Sequence, residues 1–201
     1  MSTHRIEGLA DGIFAIAMTL LVLNLALPEV GKEPVAVHSL LAGQLDKFLN
    51  YALSFILLAV FWIRHHQQFH LIKRTDRKHL WINVFFFMFA ALIPFSTTLV
   101  GDYSREPLAE VFFASNIFML GMLLHWNWIY ATNQCRLVDR NLDPRRIASG
   151  KRRGVVTMLV AASAIGLAFI NPRISSFVYL LIPILHGVLE HRHRRVTSSA
   201  A

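Results

Sequence analysis

Long apolar blocks separated by short polar segments are the dominant pattern along this chain of 201 residues. Several blocks reach the roughly 20 residues that a helix needs to cross a hydrocarbon core, and the others can cross by tilting or by packing against neighbours. The pattern predicts an all-α integral membrane protein with six transmembrane helices in one domain, residues 1–190, and a basic, disordered tail, residues 191–201. The six blocks are 7–27, 46–63, 80–101, 108–132, 154–171 and 174–189.

Proline positions refine the boundaries of these blocks. Pro94 lies inside the third block and predicts a kink or a break near its outer end. Asp143-Pro144 predicts a helix start after the largest polar loop, and Asn171-Pro172 predicts a tight hairpin between the last two blocks. The segment 28–45 is the longest loop on the outer side, and we expect a short interfacial helix in it.

The distribution of charge changes the meaning of the formal net charge of +8. With the N-terminus in the cytoplasm, sixteen of the 20 Lys and Arg residues lie on the inner side. We therefore expect a multi-pass plasma membrane protein with both termini cytoplasmic, basic loops that contact anionic lipid head groups, and no nucleic-acid partner. The inner residues are Arg5, Arg64, Lys73, Arg74, Arg77, Lys78, Arg136, Arg140, Arg145, Arg146, Lys151, Arg152, Arg153, Arg192, Arg194 and Arg195; the outer ones are Lys32, Lys47, Arg105 and Arg173.

Three histidines, His65, His66 and His70, lie close together at the end of the second block. Membrane di-iron enzymes bind metal through several such histidine boxes, because neutral imidazole is a good ligand for iron. The other histidines of this chain are scattered singly. We therefore expect no metal, no cofactor and no enzymatic activity, and we interpret the cluster as hydrogen bonding at a helix end. A histidine-box oxidase or hydroxylase is the alternative.

Charged residues at the start of the first block need partners, since an unpaired charge at a membrane boundary is costly. Arg5 and Asp11 lie at the same predicted depth as the histidines of the second block. One interpretation is a hydrogen-bonded network that joins these groups; another is that Asp11 is a first-turn charge favoured by the helix dipole. The residues of the predicted network are Arg5, Asp11, Trp62, His65, His66 and Asn83.

An apolar stripe follows the first block. At about 100° per residue, Ile16, Leu20, Leu23 and Leu27 lie on one narrow side of a helix. Periodicity alone leaves three interpretations open: a face toward lipid, a face toward the protein core, or the wall of a pore. A proton-coupled transporter needs a titratable group at mid-membrane, which this span lacks. A membrane bundle without transport activity is a further alternative.

The segment RIEGLADGIFAIAMTLLVLNL, residues 5–25, resembles the first helix of prokaryotic members of the transmembrane protein 175 potassium-channel family. That helix opens with the motif R-x-x-x-F-S-D, and Arg5 and Asp11 match it. Leu9 and Ala10 replace the Phe and the Ser, which removes an aromatic ring and a hydroxyl group. FWIRHHQQF resembles the F-W-x-x-H-H segment of the second helix, and IPF at 93–95 resembles a segment of the third.

The resemblance implies a cyclic homotetramer in which the first helices line a pore without a carbonyl selectivity filter. Ile16, Leu20 and Leu23 would then be the constricting side chains, with Thr19 beside them. Four copies about a cyclic axis bring four identical stripes together, and a ring of apolar side chains gates by dewetting. Because K⁺ holds its hydration shell less tightly than Na⁺, the expected function is a passive, potassium-preferring cation channel whose permeant ion is K⁺.

Overall fold

Helices dominate the part of the chain that the structure, a computed structural model, describes: residues 3–25 and 36–187. Leu27, much of the first loop and the predicted tail lie outside these ranges. The helices are α1 (His4–Leu20, extended by a 3-10 segment Leu21–Leu25), α2 (Val37–Gly43), α3 (Leu45–Leu71), α4 (Arg77–Ala91), α5 (Ile93–Asp102), α6 (Pro107–Thr132), α7 (Pro144–Ala168) and α8 (Pro172–Val178), followed by a helical segment at 181–187.

Prolines and caps set most of these boundaries. The third block breaks at Leu92, and Pro94 occupies the first turn of α5, which confirms the predicted break. Asp143 caps α7 by accepting a hydrogen bond from the Arg145 amide at 2.8 Å, as its place before Pro144 predicts. The predicted short helix of the first loop is α2. The last helix is interrupted at 179–180, where the ring of Pro183 would meet the carbonyl four residues earlier.

Within the described ranges, four segments are long and apolar enough to cross a membrane: His4–Leu25, Leu45–Leu71, Arg77–Asp102 and Pro107–Cys135. They correspond to the first four predicted blocks. The fifth block lies in α7, whose first turns carry several Arg and Lys side chains. The sixth is a shorter apolar helix, Ile174–Gly187. Crossing by the last two blocks therefore stays a prediction.

The core extends through the bundle, from α1, α3 and α4 to α5, α6 and α7. One face of α1 is buried against α3 and α4, and Phe14 on that face packs against Phe86 with ring centroids 5.9 Å apart. The close contact of α6 with α7 depends on small residues, since a Cβ on Gly154 would lie 2.2 Å from Nδ1 of His125. The buried residues of α1 are Ile6, Ala10, Phe14, Ala17 and Leu21.

Two basic loops, residues 72–76 and 133–143, meet at one end of the bundle, which we call the basic end. An isolated antiparallel bridge joins Ile72 to Val138, and the Lys73 amide donates to the Leu137 carbonyl at 2.8 Å. The two loops therefore lie on one side, as the charge count predicts. Arg64 differs from the other residues of that count, because its guanidinium is buried in the bundle and bonds the His186 ring at 3.1 Å.

Candidate functional site

The apolar stripe predicted on the first helix is exposed in the part of the chain that the structure describes. Ile16, Leu20 and Leu23 are 61%, 43% and 67% exposed, although α1 buries its opposite face in the core. Thr19 is also exposed, and its hydroxyl donates to the Ile16 carbonyl of its own helix at 2.8 Å. The stripe therefore forms a continuous apolar surface on a helix that is otherwise held in place.

A side chain at the end of α1 away from the basic loops fixes this helix to the break in the third block. Asn24 donates to the Pro94 carbonyl at 3.3 Å and accepts from the Thr98 hydroxyl at 2.6 Å. The Pro94 carbonyl also accepts from the Thr98 hydroxyl, at 3.1 Å, so Asn24, Pro94 and Thr98 form one hydrogen-bonded group. Asn24 thereby fixes α1 against the start of α5.

A second connection holds α1 near the basic end. Trp62 on α3 donates its indole N–H to Oδ1 of Asp11 at 2.8 Å, and the ring of His66 stacks on Trp62 with centroids 6.0 Å apart. Asp11 is exposed on α1 and still has this partner. With Asn24 at its other end, α1 is fixed at two points about three and a half turns apart.

Arg5 does not join Asp11 within the chain. It is exposed and has no hydrogen bond or ion pair with any residue in the described ranges. Six residues on a helix correspond to a rotation of about 240°, so the two side chains leave α1 on different faces. The residues of the predicted network therefore form separate groups in one chain.

The second group lies deeper in the bundle and is centred on His65, which is 1% exposed. Its Nε2 lies 3.0 Å from Oδ1 of Asn83, and its ring stacks on Phe86 at 5.4 Å. Nδ2 of Asn83 donates to Oδ1 of Asn127 at 3.0 Å, and Nδ2 of Asn127 donates to Oε1 of Gln68 at 2.9 Å. Since the oxygen of Asn83 can only accept, His65 must carry its proton on Nε2.

We call His65, Gln68, Asn83 and Asn127 the amide cluster. This series of hydrogen bonds ends at the Leu124 carbonyl, which accepts from Gln68 at 3.1 Å. Each of the three side-chain amides therefore donates to a defined acceptor. These side chains come from α3, α4 and α6, and their hydrogen bonds join the three helices at a buried position. Polar groups inside a membrane bundle commonly bond across helices in this way.

Sequence reasoning missed two members of the amide cluster, Gln68 and Asn127. A signal for Gln68 exists, because it follows His65 by three residues and so shares its side of α3. Asn127 lies within the aromatic segment HWNWIY and carries no comparable signal.

The three histidines of the second block point in different directions. His65 is buried, whereas His66 and His70 are exposed. Among residues 3–25 and 36–187, no group of three or more His, Cys, Asp or Glu side chains is placed to hold a metal ion. Of these histidines, His65 thus belongs to the amide cluster, whereas His66 stacks on Trp62, the partner of Asp11.

Known proteins resemble this chain over most of its length. The family described as endosomal/lysosomal potassium channel TMEM175 matches residues 5–94. A potassium channel of Streptomyces collinus is 28% identical over 187 residues, which cover 91% of this chain and 90% of that protein. The human endosomal/lysosomal proton channel TMEM175 is 27% identical over 146 residues, which cover 62% of this chain and 29% of the human one.

A potassium channel of Chamaesiphon minutus is 32% identical over 149 residues, which cover 72% of this chain and 73% of that channel. The crystal structure of a lysosomal potassium-selective channel TMEM175 homolog from the same organism superposes with a TM-score of 0.82 at 26% identity, over 92% of this chain and 96% of the other. Both the shared helices and the shared sequence thus lead to one assignment: the chain belongs to the TMEM175 potassium-channel family.

Proposed function

We propose that this protein is a passive, potassium-preferring cation channel, a cyclic homotetramer whose four α1 helices line the pore. The exposed stripe of Ile16, Leu20 and Leu23 on a helix fixed at both ends carries this proposal. A stripe of this kind could also face lipid. Asp11 supports a protein or water environment beside α1, since a carboxylate that faces hydrocarbon is costly.

In this proposal the constriction consists of stacked apolar rings. Ile16 and Leu23 are seven residues apart, so the rings span about 10 Å of the pore axis. Apolar rings at this spacing expel water and act as a hydrophobic gate. An ion must lose part of its hydration shell to pass, and K⁺ loses it more easily than Na⁺. Thr19, beside the stripe, offers a hydroxyl to a partly dehydrated ion.

The two groups described above hold the pore helix in place in this arrangement. The pair Asp11–Trp62, backed by His66, fixes α1 to α3, and the bond of His65 to Asn83 fixes α3 to α4. Arg5 is exposed on the same side of α1 as Ile16, which lies eleven residues, or about 20° of rotation, away. We place Arg5 at the mouth of the pore or against a neighbouring copy.

The proposed setting is the plasma membrane, with six crossings per chain, both termini in the cytoplasm and residues 1–190 as the channel domain. The meeting of the loops 72–76 and 133–143 at one end supports this orientation. Their Lys and Arg side chains would contact anionic head groups there. We expect neither a cofactor nor enzymatic activity, as befits a channel family.

Flux through purified protein in liposomes tests the proposal. Vesicles loaded with K⁺ and diluted into a K⁺-free buffer should take up a lipophilic cation dye when the protein is present, and the same vesicles loaded with Na⁺ should respond less. Protein-free vesicles are the control. Equal signals from K⁺ and Na⁺ would contradict the proposed potassium preference, and the absence of a signal with either ion would contradict the proposed channel function.

Proton permeation is a second candidate, because the human relative is named a proton channel. The same liposomes with an internal pH dye and an imposed pH gradient would measure it. A proton flux that persists without K⁺ on either side would establish protons as permeant ions of this protein.

A further inference from the structure

The end of the bundle opposite the basic loops contains a buried carboxyl group that the channel proposal does not use. Glu110 lies in the first turn of α6 and is 1% exposed. One of its oxygens accepts a hydrogen bond from the Ser176 hydroxyl. The other oxygen, Oε2, is buried and has no hydrogen-bond partner among the described residues. A buried carboxyl oxygen without a donor costs free energy.

A nearby cation of the chain is already engaged. Lys47, at the same end of the bundle, is ion-paired with Asp102 at 2.7 Å. No ion pair joins Glu110 to a Lys or Arg side chain of the described residues. Within the part of the chain that the structure describes, Oε2 of Glu110 thus has neither a cationic partner nor a hydrogen-bond donor, and it can accept from an ammonium group that enters from outside.

A cavity of about 330 Å³ borders this carboxyl group, a size within the range of small-molecule sites. Its polar lining includes Glu110 of α6, Ser176 of α8 and Asp46 of α3. Its apolar lining includes Leu49, Leu53 and Ile56, which lie on α3 like Asp46. These three residues follow at i, i+4 and i+7, so they form one apolar track about 10 Å long that runs from the helix end toward the middle of the bundle.

We propose that this cavity binds a primary ammonium group carried on an apolar chain. The ammonium donates to Oε2 of Glu110 and lies near the Asp46 carboxylate, and the chain lies along Leu49, Leu53 and Ile56. An ammonium has three N–H donors and so can bond more than one oxygen. An aminophospholipid and a free alkylamine share this chemistry. A choline head group has no N–H, and a glycerol head group has no positive charge.

The test uses the purified, delipidated full-length protein. Native mass spectrometry with phosphatidylethanolamine, phosphatidylcholine and phosphatidylglycerol of equal acyl chains measures the preference for the lipid. A thermal-shift titration with dodecylamine against dodecanol measures the free amine. Glu110→Gln keeps the shape of the side chain, and Glu106→Gln, at an exposed position one turn earlier, is the matched control. Leu49→Trp fills the apolar track and leaves Glu110 intact.

We expect phosphatidylethanolamine to bind at least about fivefold more than the other two lipids, a difference of about 1 kcal/mol. Glu110→Gln should abolish this preference, Glu106→Gln should keep it, and Leu49→Trp should lower binding. Glu110-dependent binding of dodecylamine alone would make the ligand a free amine. Equal binding of all three lipids together with no effect of Glu110→Gln on dodecylamine would overturn the proposal. Because the readout is binding, its result is independent of ion flux.

Discussion

The indole N–H of Trp62 donates a 2.8 Å hydrogen bond to the carboxylate of Asp11, 51 residues earlier in the chain. This bond joins the pore-helix candidate α1 to α3. The His66 ring stacks on Trp62. Since the bond lies at an exposed position, water competes for both groups in the single chain, and its net contribution is about 0.5–1.5 kcal/mol. In an assembly that excludes water, the contribution increases.

Substitution of Asp11 tests this connection. Asp11→Ala removes the acceptor and should lower the melting temperature of the assembled protein and alter ion flux. Asp11→Asn keeps an oxygen that accepts from the indole and should have a milder effect. Trp62→Phe removes the donor but keeps an aromatic ring, and should resemble Asp11→Ala in its direction. If Asp11→Ala melts and conducts like the unmodified protein, Asp11 is only a surface charge on α1.

His65 and His70 come from one sequence motif but should respond differently to substitution. His65→Ala leaves Asn83 Oδ1 without its donor and removes the ring that stacks on Phe86, so we expect a loss of about 2–4 kcal/mol in stability. His70 is exposed, and His70→Ala should change stability by less than about 0.5 kcal/mol. Thermal melting in detergent measures both. Equal effects would mean that burial of His65 does not matter for stability.

The sequence indicates most of the helices because membrane helices are set by local signals. Apolar length predicts the first four spans, and Pro94 and Pro144 mark a break and a helix start in agreement with the structure. The interruption at 179–180 has the same kind of cause at Pro183, which apolar length alone, with one block over 174–189, does not predict. The amphipathic pattern also separates the buried side of α1 from the stripe.

Side-chain partners across helices are less predictable from the sequence. Depth along the membrane places Asp11 near the second-block histidines, but it does not give the rotation of each helix. Rotation decides that Trp62 reaches Asp11, that His65 points inward, and that Arg5 lies on another side of α1. Asn127 joins the amide cluster only because α6 packs beside α3 and α4.

A pH dependence follows from Asp76, which lies in the loop between α3 and α4. Partial desolvation raises the pKa of Asp76, but hydrogen bonds from the His79 amide and the Tyr130 hydroxyl, together with the nearby His79 and Arg136 charges, outweigh it and lower the pKa overall. The fold therefore favours the ionised form. This stabilisation is complete above the unfolded value of about 3.9 and is lost as pH falls through the lowered pKa.

Asp76→Asn keeps the helix cap but removes the charge, so it isolates this effect. Its melting temperature should lie below that of the unmodified protein at pH 7, and the difference should shrink below about pH 4. Tyr130→Phe should act in the same direction, whereas Tyr103→Phe, exposed at the opposite end, should not. A difference that stays constant from pH 7 to pH 3 would exclude ionisation of Asp76 as its cause.

Reporter fusions test the topology, in particular the last two blocks. We expect fusions at the C-terminus and in the loop 133–143 to report the cytoplasm, since both segments are basic. Fusions at 102–107 and at the hairpin 169–171 should report the other side. A cytoplasmic report from 169–171 with an external one from 102–107 would show that the fifth and sixth blocks do not cross.

The stripe on α1 provides the sharpest test of the pore. Ile16→Asn or Leu20→Asn should let water persist in the constriction and lower the dehydration barrier. A decrease of about 1.4 kcal/mol would raise conductance about tenfold, and the preference for K⁺ over Na⁺ should fall. Leu159→Asn on α7 is the matched control, because the exposed fraction of Leu159, 63%, is similar to the 61% of Ile16. Equal effects of Ile16→Asn and Leu159→Asn on flux would indicate that the stripe faces lipid.

Thiol accessibility tests the same surface without a change in selectivity. In a Cys135→Ser background, Ile16→Cys, Leu20→Cys and Leu23→Cys should react with a water-soluble thiol reagent in the open channel, because a conducting constriction contains water. Met18→Cys should react slowly, since Met18 is half-buried against the core of its own chain. Lipid would protect a cysteine on a lipid-facing stripe as the core protects Met18. Fast reaction at Met18 with slow reaction at the three stripe positions would therefore contradict the pore assignment.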